Sequence, residues 1–485
     1  MKSILTLIAA GSLLATLASA QTSRYTVTDL GVLGPNGQPF VITNNGLVGG
    51  TATVGSGVLH SVLWYRGLRG DIGAPGLGGQ NSQAYSANEL GQAVGAAQTP
   101  TSDPNGEDFC GFKALGLPSK GTTCLPFLWR YAVTIPLPTL GGSNGTAKQI
   151  NRWAAVAGFA ENTTLDPTCP APQKLQFKPV IWENGEIQEL PTSKGDLEGL
   201  AMAINDKGQV VGSSGACAVF NVDFLFGLQP LHALLWETGA VTDLGSLGGT
   251  GHGFGNLAFN INNQGQVVGG SDLRGNANFH SFLWTRGTGM QDLGTLTGDV
   301  NSTALGINEA GDVVGVSLDA MFNPRAYLWK NGVMADLNTL IPAGSPLSLL
   351  TACSINSRDQ IVGFAVDSSG DVHGYVATPS ELSTNATNAE VTPVSLTTSE
   401  RSVVLDGSGS TSESGNLRYQ FMAVPGGLQP DLRQTSSDAK TTVEFMHGPG
   451  LYLVQLIVTD SRGNTSKSPV ITLNYEPSQA TTASQ

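Results

Sequence analysis

The chain repeats itself seven times. That constrains the fold more than any composition does, because a unit of this size cannot bury its apolar surface alone and must stack on its neighbours. The most complete copy runs from Asn260 to Gly298. Its run Ile-Asn-x-x-Gly-x-Val-Val-Gly, at Ile261 to Gly269, recurs with drift at Ile42, Ala87, Ile150, Ile204, Ile307 and Ile355. The last glycine survives in every copy, at Gly50, Gly95, Gly158, Gly212, Gly269, Gly315 and Gly363, whereas the asparagine is lost once, to Thr43. A second run, His-Ser-Phe-Leu-Trp at His280 to Trp284, has counterparts ending at Trp64, Trp129, Trp182, Trp236 and Trp329, and one without tryptophan at His373 to Ala377. A third, Asp-Leu-Gly followed by Leu-Gly-Gly, is clear at Asp29, Asp243 and Asp292 and degraded in the other copies.

Each copy reads as four short strands, A to D: Ser-x-Ala-x-x-Ile, Gly-x-Val-Val-Gly-x-Ser, His-x-Phe-Leu-Trp and x-Met-x-Asp-Leu. The A to B link suits a tight hairpin, with asparagine accepting a backbone bond and glycine taking the left-handed position. The strands are apolar in runs rather than in alternation, which implies cover on both faces. Sheets covered by like sheets, at about 50 residues per unit, predict an all-β fold, a seven-bladed β-propeller. The chain starts on a D strand at Tyr25 and ends its repeats on a lone C strand at His373, so the two termini are expected to close one blade and remove an exposed edge. A basic residue opening strand C faces an acid closing strand D at His60/Asp71, Lys178/Glu189, His232/Asp243, His280/Asp292 and Arg325/Asp336, and one copy loses both, at Leu125 and Pro136. Closure adds His373 with Asp29. Cross-strand pairs of this kind contribute roughly 0.2 to 1 kcal/mol.

Residues 1–20 have the order of a secretory signal: Lys2, an apolar run from Ile4 to Leu17, then Ala18-Ser19-Ala20. Export to the extracellular space, the cell surface or the periplasm is expected. No stretch is apolar for long enough to span a bilayer, so no membrane insertion is expected. The net charge of -13 argues against nucleic acid as a partner. Five cysteines in an exported chain allow two bridges. Cys110 and Cys124 share one inserted loop and are the first expected pair; Cys169 and Cys217 lie in the corresponding loops of the next two copies, and Cys353 is left as a buried thiol in an A strand.

After Thr378 the repeat stops. The domains are read as 21–380 for the repeats, a polar linker at 381–390, a β-sandwich domain at 391–476 and a disordered tail at 477–485. The sandwich is expected to have strands at Val403 to Asp406, Leu417 to Phe421, Thr442 to Phe445, Tyr452 to Thr459 and Val470 to Leu473. The residues LDGSGSTSESGNLRYQF and GLYLVQLIVTDSRGNTS resemble a PKD domain, an immunoglobulin-like module, although Tyr419-Gln420-Phe421 runs into AVPGG where that family carries Trp-Asp-Phe-Gly-Asp-Gly. The repeats at 25–377 resemble bacterial extracellular HAF repeats, with variants such as His232-Ala-Leu-Leu-Trp and Arg325-Ala-Tyr-Leu-Trp. Both resemblances imply an exported bacterial protein, and neither brings an established activity.

Chemistry should reside where the repeat is broken. No metal, nucleophile or phosphate motif is present, so no cofactor and no metal are expected. Long B to C insertions in three successive copies, Ala97 to Leu125, Glu161 to Phe177 and Ser214 to Leu231, lie side by side, and long loops on a rigid scaffold are where binding resides. They offer the acids Asp103, Glu107 and Asp108 and an apolar cluster of Phe220, Phe224, Leu225, Phe226 and Leu228, which marks either a partner surface or a local miniature core. His252, on a D to A loop, is the one repeat histidine outside the C-strand pattern. Trp153 replaces a polar turn residue; packing is the expected role, with stacking on a sugar as the alternative. Together these predict a monomeric binding or scaffold protein for an extracellular polysaccharide or protein. A carbohydrate-active hydrolase or lyase using the propeller's central opening is the alternative.

Overall fold

The computed structural model describes residues 24–477 except 35, 56, 74–76, 114, 118–120, 219–227, 381–388, 413–416, 425–426, 434–437 and 461–464. The expected signal segment, most of the linker and most of the tail lie outside the described residues. The chain is all-β and divides into two compact units between Pro379 and Ser380. Among the described residues no helix is long and apolar enough to cross a membrane.

The first unit contains seven four-stranded antiparallel sheets, each with its strands in the order A-B-C-D. We number them along the chain: sheet 1 starts at Pro39–Ile42, sheet 2 at Ser82–Ala87, sheet 3 at Gly145–Ile150, sheet 4 at Glu198–Ile204, sheet 5 at Asn256–Ile261, sheet 6 at Asn301–Ile307 and sheet 7 at Ser348–Ile355. Sheet 7 takes its D strand from the other end of the unit. Tyr25–Val32 pairs antiparallel with Val372–Pro379, from Tyr25 opposite Pro379 to Val32 opposite His373.

Every A strand carries a β-bulge, where the register skips one residue against strand B, as between Ala258 and Asn260. The recurrent glycine faces that bulge. A Cβ on Gly95 would meet the Gln83 carbonyl oxygen, one on Gly269 that of Leu257 and one on Gly363 that of Thr351, each far inside van der Waals contact; the other four glycines meet the same obstruction. All seven positions therefore exclude any side chain.

The turn asparagine has two roles, of which the hairpin is one. In Asn262 the side-chain oxygen accepts the N–H groups of Gln264 and Gln266, both at 3.0 Å, while the amide nitrogen donates to the Asn308 carbonyl of the next sheet at 3.0 Å. The same outward bond runs from Asn88 to Asn151, Asn151 to Asn205, Asn205 to Asn262, and Asn356 to Thr43, so that sheet 7 is tied to sheet 1. Where Thr43 has no amide to offer, Asn44 and Asn45 reach Glu89 instead. Between sheets 6 and 7, Asn308 donates to Asp359.

Apolar packing between neighbouring sheets supplies most of the cohesion. Val211 and Leu235 of sheet 4 meet Ala258, Phe282 and Trp284 of sheet 5. Sheet 7 shares one cluster with sheet 6, through Val314 and Leu349, and another with sheet 1, through Val362, Val48 and Trp64. Burying one large apolar side chain contributes about 1.5 to 3 kcal/mol, whereas an exposed ion pair contributes roughly 0 to 1 kcal/mol. Four of the expected charge pairs form: His60–Asp71 at 2.8 Å, His280–Asp292 at 3.0 Å, Arg325–Asp336 at 3.1 Å and His373–Asp29 at 3.0 Å. Two do not. His232 turns instead to Asp196 at 2.8 Å, and Lys178 donates to the Leu197 carbonyl. Both partners belong to the loop between sheets 3 and 4; Asp196 is buried there, and its charge is less screened than that of the exposed Asp243.

In the second unit, Ser395–Thr398, Ile471–Tyr475, Gly450–Asp460 and Leu417–Ala423 form one sheet in that order, with Thr465–Lys467 beside the third. Ser402–Asp406, Lys440–Glu444 and Asp431–Arg433 form another. Leu405 and Val443 of the smaller sheet share a core with Phe421, Tyr452, Val454, Leu456 and Ile471 of the larger. The five expected strands are present; three shorter ones join them.

Removal of residues 21–31 is expected to lower the melting temperature of the first unit by about 5 °C or more, as read by circular dichroism, since it unpairs one whole strand. Asn262→Asp keeps the hairpin acceptor but loses both amide donors, and should cost about 2 kcal/mol in denaturant unfolding. A purely local turn residue would tolerate that change.

Candidate functional site

The bulges decide what the inner strands present. A bulge leaves one residue unpaired and re-aims its side chain. Here the extra residues are Phe40, Tyr85, Lys148, Met202, Phe259, Leu305 and Cys353, one from each sheet. All seven line a single cavity of about 990 Å³. Its loop side is formed by Gly253 and Phe254 between sheets 4 and 5, Asn276 and Ala277 in sheet 5, and Phe322 in sheet 6. Phe254 stacks on Phe279 with ring centroids 4.0 Å apart, and Phe322 is 63% exposed. At the other end the seven A to B turns enclose a polar space of about 170 Å³, which shares Val41, Ser86, Gln149, Asn260 and Ser354 with the cavity.

The bulge also frees backbone N–H groups, and the neighbouring sheet takes them. Ile42 N–H donates to Ser354 at 3.3 Å and Ile204 N–H to Gln149 at 2.7 Å. Polar side chains beside the bulge thus keep the A strands in register around the cavity. The Lys148 ammonium lies 3.3 Å from the centroid of the Tyr85 ring, and burial holds it well below the ordinary lysine range. Burial likewise pushes the Cys353 thiol up to about 12, so it stays protonated.

Of the seven bulge residues the sequence singled out one, Cys353, as a buried thiol; the other six it did not. A signal was present: both residues before each turn's Ile or Ala change chemistry from copy to copy, and the first of the two is the bulge residue.

The residues that the sequence did single out are placed differently. Phe220, Phe224 and Phe226 lie outside the described residues. Asp103 and Glu107 are buried and hold insertions together: Asp103 accepts from the Asn144 amide at 2.9 Å, and Glu107 accepts the N–H groups of Lys174 and Leu175 at 2.7 and 2.8 Å. Asp108 accepts the Lys113 N–H within the same loop. His252 is exposed, next to the cavity-lining Gly253 and Phe254. Trp153 corrects the packing expectation. It is 70% exposed, with its indole N–H bonded to the Asp206 carbonyl at 3.1 Å and the Arg152 guanidinium 5.8 Å from the ring centroid. Cys110 is bonded to Cys124 and Cys169 to Cys217, while Cys353 is free.

Two further buried acids lie in the insertion zone. Glu161 accepts from Asn144 and Gln173; burial, then the charge of Glu107, pushes it up to about 8. Burial does the same to Glu198, which also rises to about 8 and is hydrogen-bonded to Asp166. Burial acts to raise Asp166 too, but bonds from Thr168 and from Glu198 outweigh it and hold that carboxyl below its usual range. The facing oxygens, Asp166 Oδ2 and Glu198 Oε1, are buried with no other donor. With Cys169 they form a group within 4.8 Å, yet that sulfur is tied in a disulfide and two carboxylate oxygens fall far short of a calcium shell. A shared proton satisfies both oxygens.

Glu161 and Glu198 hold protons that the unfolded chain releases above about pH 4.3. Their contribution is complete below that pH and is lost as pH rises towards about 8. Each should make the unfolding free energy fall by about 1.4 kcal/mol per pH unit across that window. In Glu198→Gln the amide replaces the held proton, so denaturant titrations at pH 5, 6.5 and 8 should give a shallower slope than the wild type; an unchanged slope would place the proton elsewhere. Compared with known protein families and with curated proteins, the chain finds no match in either.

Proposed function

We propose that this chain is an exported binding protein in which the seven sheets are the blades of a closed β-propeller, and that its ligand is a small organic molecule held in the bulge-lined cavity. Closure is supported by the strand shared between the two ends of the unit and by the cluster and asparagine bond joining sheet 7 to sheet 1. Export is supported by the leader-like residues 1–20 and by the two disulfides. The HAF-like repeats and the PKD-like second unit fit the same extracellular setting.

The observation that carries the binding reading is the cavity wall. Six of the seven bulge residues are apolar or aromatic, or a neutral thiol, and they converge on one space of about 990 Å³ with a few amides, Asn260, Asn276 and Asn301, among them. A large apolar pocket with a small number of fixed polar groups is the form that small-molecule sites take. The polar ring of turns favours entry from the loop side. This moves the expected binding surface from the insertions to the cavity, since the insertion acids Asp103 and Glu107 are engaged in holding loops together.

Full-length protein should bind the neutral, environment-sensitive dye Nile red saturably, at one site. Leu305→Trp adds bulk at a bulge position and should abolish that binding while leaving the melting temperature within a few degrees. Non-saturable uptake, or the same affinity in the variant, would remove the cavity from consideration.

A further inference from the structure

We infer that the A to B turns form a second binding site, for a neutral polysaccharide of the cellulose or chitin type, with the indole of Trp153 as the plate on which one sugar ring stacks. Trp153 does not line the cavity. The turn does not require an aromatic residue. At the same position the other six sheets carry Asn45, Leu90, Lys207, Gln264, Ala310 and Arg358, so the hairpin forms with side chains of every kind. Burial does not account for it either: Trp153 keeps most of its surface in water, whereas Trp182 and Trp236 of the C strands are buried. An exposed apolar residue is ordinary by itself. This one is also fixed. Its indole N–H donates to the Asp206 carbonyl, in the turn of sheet 4, at 3.1 Å, and its backbone N–H donates to Asn151 Oδ1 at 3.0 Å. The Arg152 guanidinium, 5.8 Å from the ring centroid, is itself held by Asp206 Oδ2, with Nε at 3.3 Å. A ring that is exposed and already oriented loses little freedom when a ligand covers it.

Beside this plate, Asn44, Glu89, Arg152, Asp206, Asn263 and Glu309 line the polar space of about 170 Å³. Bonds between neighbouring turns hold them in place. Asn44 donates to Glu89 at 3.1 Å, Asn263 Nδ2 donates to Asp206 Oδ2 at 3.1 Å, and Glu309 Oε1 accepts the Asn263 N–H at 3.1 Å. Among the described residues the side-chain bonds of Glu89 and Glu309 go to Oε1, which leaves each Oε2 to accept from a hydroxyl. Carboxylate, amide and guanidinium groups are planar and offer two atoms side by side, which suits adjacent hydroxyls on a sugar ring. A sugar needs both features, polar partners for its edge and an apolar plate for its C–H face. The charges then choose among sugars. Glu89, Asp206 and Glu309 outnumber Arg152 in the lining, so an acidic polysaccharide is repelled. Stacking chooses further, because glucose and N-acetylglucosamine rings in cellulose and chitin carry their substituents in the ring plane and leave the C–H face open to the indole.

The test titrates full-length protein with cellohexaose, chitohexaose and, as the acidic counterpart, hexagalacturonate, read by isothermal calorimetry and by acrylamide quenching of tryptophan fluorescence. Wild type should bind at least one neutral hexasaccharide saturably, and bind hexagalacturonate about ten-fold or more weakly. The bound sugar should shield the exposed indole from acrylamide. Trp153→Ala should lose about ten-fold or more in affinity, together with that shielding. Trp153→Phe keeps an aromatic plate and should retain part of the binding. Both variants should melt within a few degrees of the wild type, since the side chain is mostly in water. Failure of both neutral sugars to bind the wild type would overturn the site. Wild-type affinity in Trp153→Ala would overturn the role of the indole. Tighter binding of hexagalacturonate than of the neutral sugars would overturn the selection by charge.

Discussion

The close approach of the A and B strands is the constraint on which the rest of the first unit depends. An A strand that bulges pushes one of its carbonyls into the space where strand B would carry a Cβ, so strand B must place glycine there. One geometric event then has two results. It removes a side chain from the outer partner seven times over, and it directs an unpaired side chain inward seven times over. Scaffold and site are made by the same irregularity, which lets the inner residue change identity without disturbing the ladder that presents it.

Cohesion between sheets comes from a division of labour among side chains. Apolar faces supply the bulk of the free energy, and the asparagine amides supply direction. An asparagine uses its oxygen for its own turn and its nitrogen for the next sheet's turn, which aspartate cannot do for want of a donor. The C-strand tryptophans act similarly: the N–H of Trp182 bonds the Pro138 carbonyl and that of Trp236 the Pro191 carbonyl, both at 2.7 Å, across a sheet boundary. The ion pairs at the sheet edges add little by comparison, and their partners are exchanged when a nearby loop offers a more buried acid, as His232 does with Asp196.

The insertions and the cavity differ in what they bury. Among Asp103, Glu107, Glu161, Asp166 and Glu198, amides, backbone N–H groups and retained protons neutralise the carboxyl groups, so that this zone is consumed in holding loops and sheets 2 to 4 together. In the cavity the bulge residues present mostly apolar and aromatic surface. The first arrangement is a structural fastener; the second is a surface that a ligand can complete. That contrast is why the proposed binding site lies at the inner strands and not on the elaborated loops.

The sequence by itself missed three short strands of the second unit but determined the four-strand unit, its seven copies, the pairing of the terminal strands, the Cys110–Cys124 disulfide and four of six charge pairs. Each of these rests on contacts within a unit or on a motif repeated at fixed spacing, so periodicity alone carries them. It also contained the positions of the bulge residues, in the first of two variable places before each turn, but not their meaning. Whether Phe40, Tyr85 or Lys148 faces a neighbouring sheet or an open cavity depends on a register slip that no residue type announces. Tertiary structure alone decided that the glycines answer to a carbonyl on the facing strand, that Asn262 reaches Asn308, that Trp153 lies exposed, and that Asp103 and Glu107 are buried. In every one of these cases the deciding atom belongs to a facing strand, another loop or the next sheet, which sequence spacing does not encode.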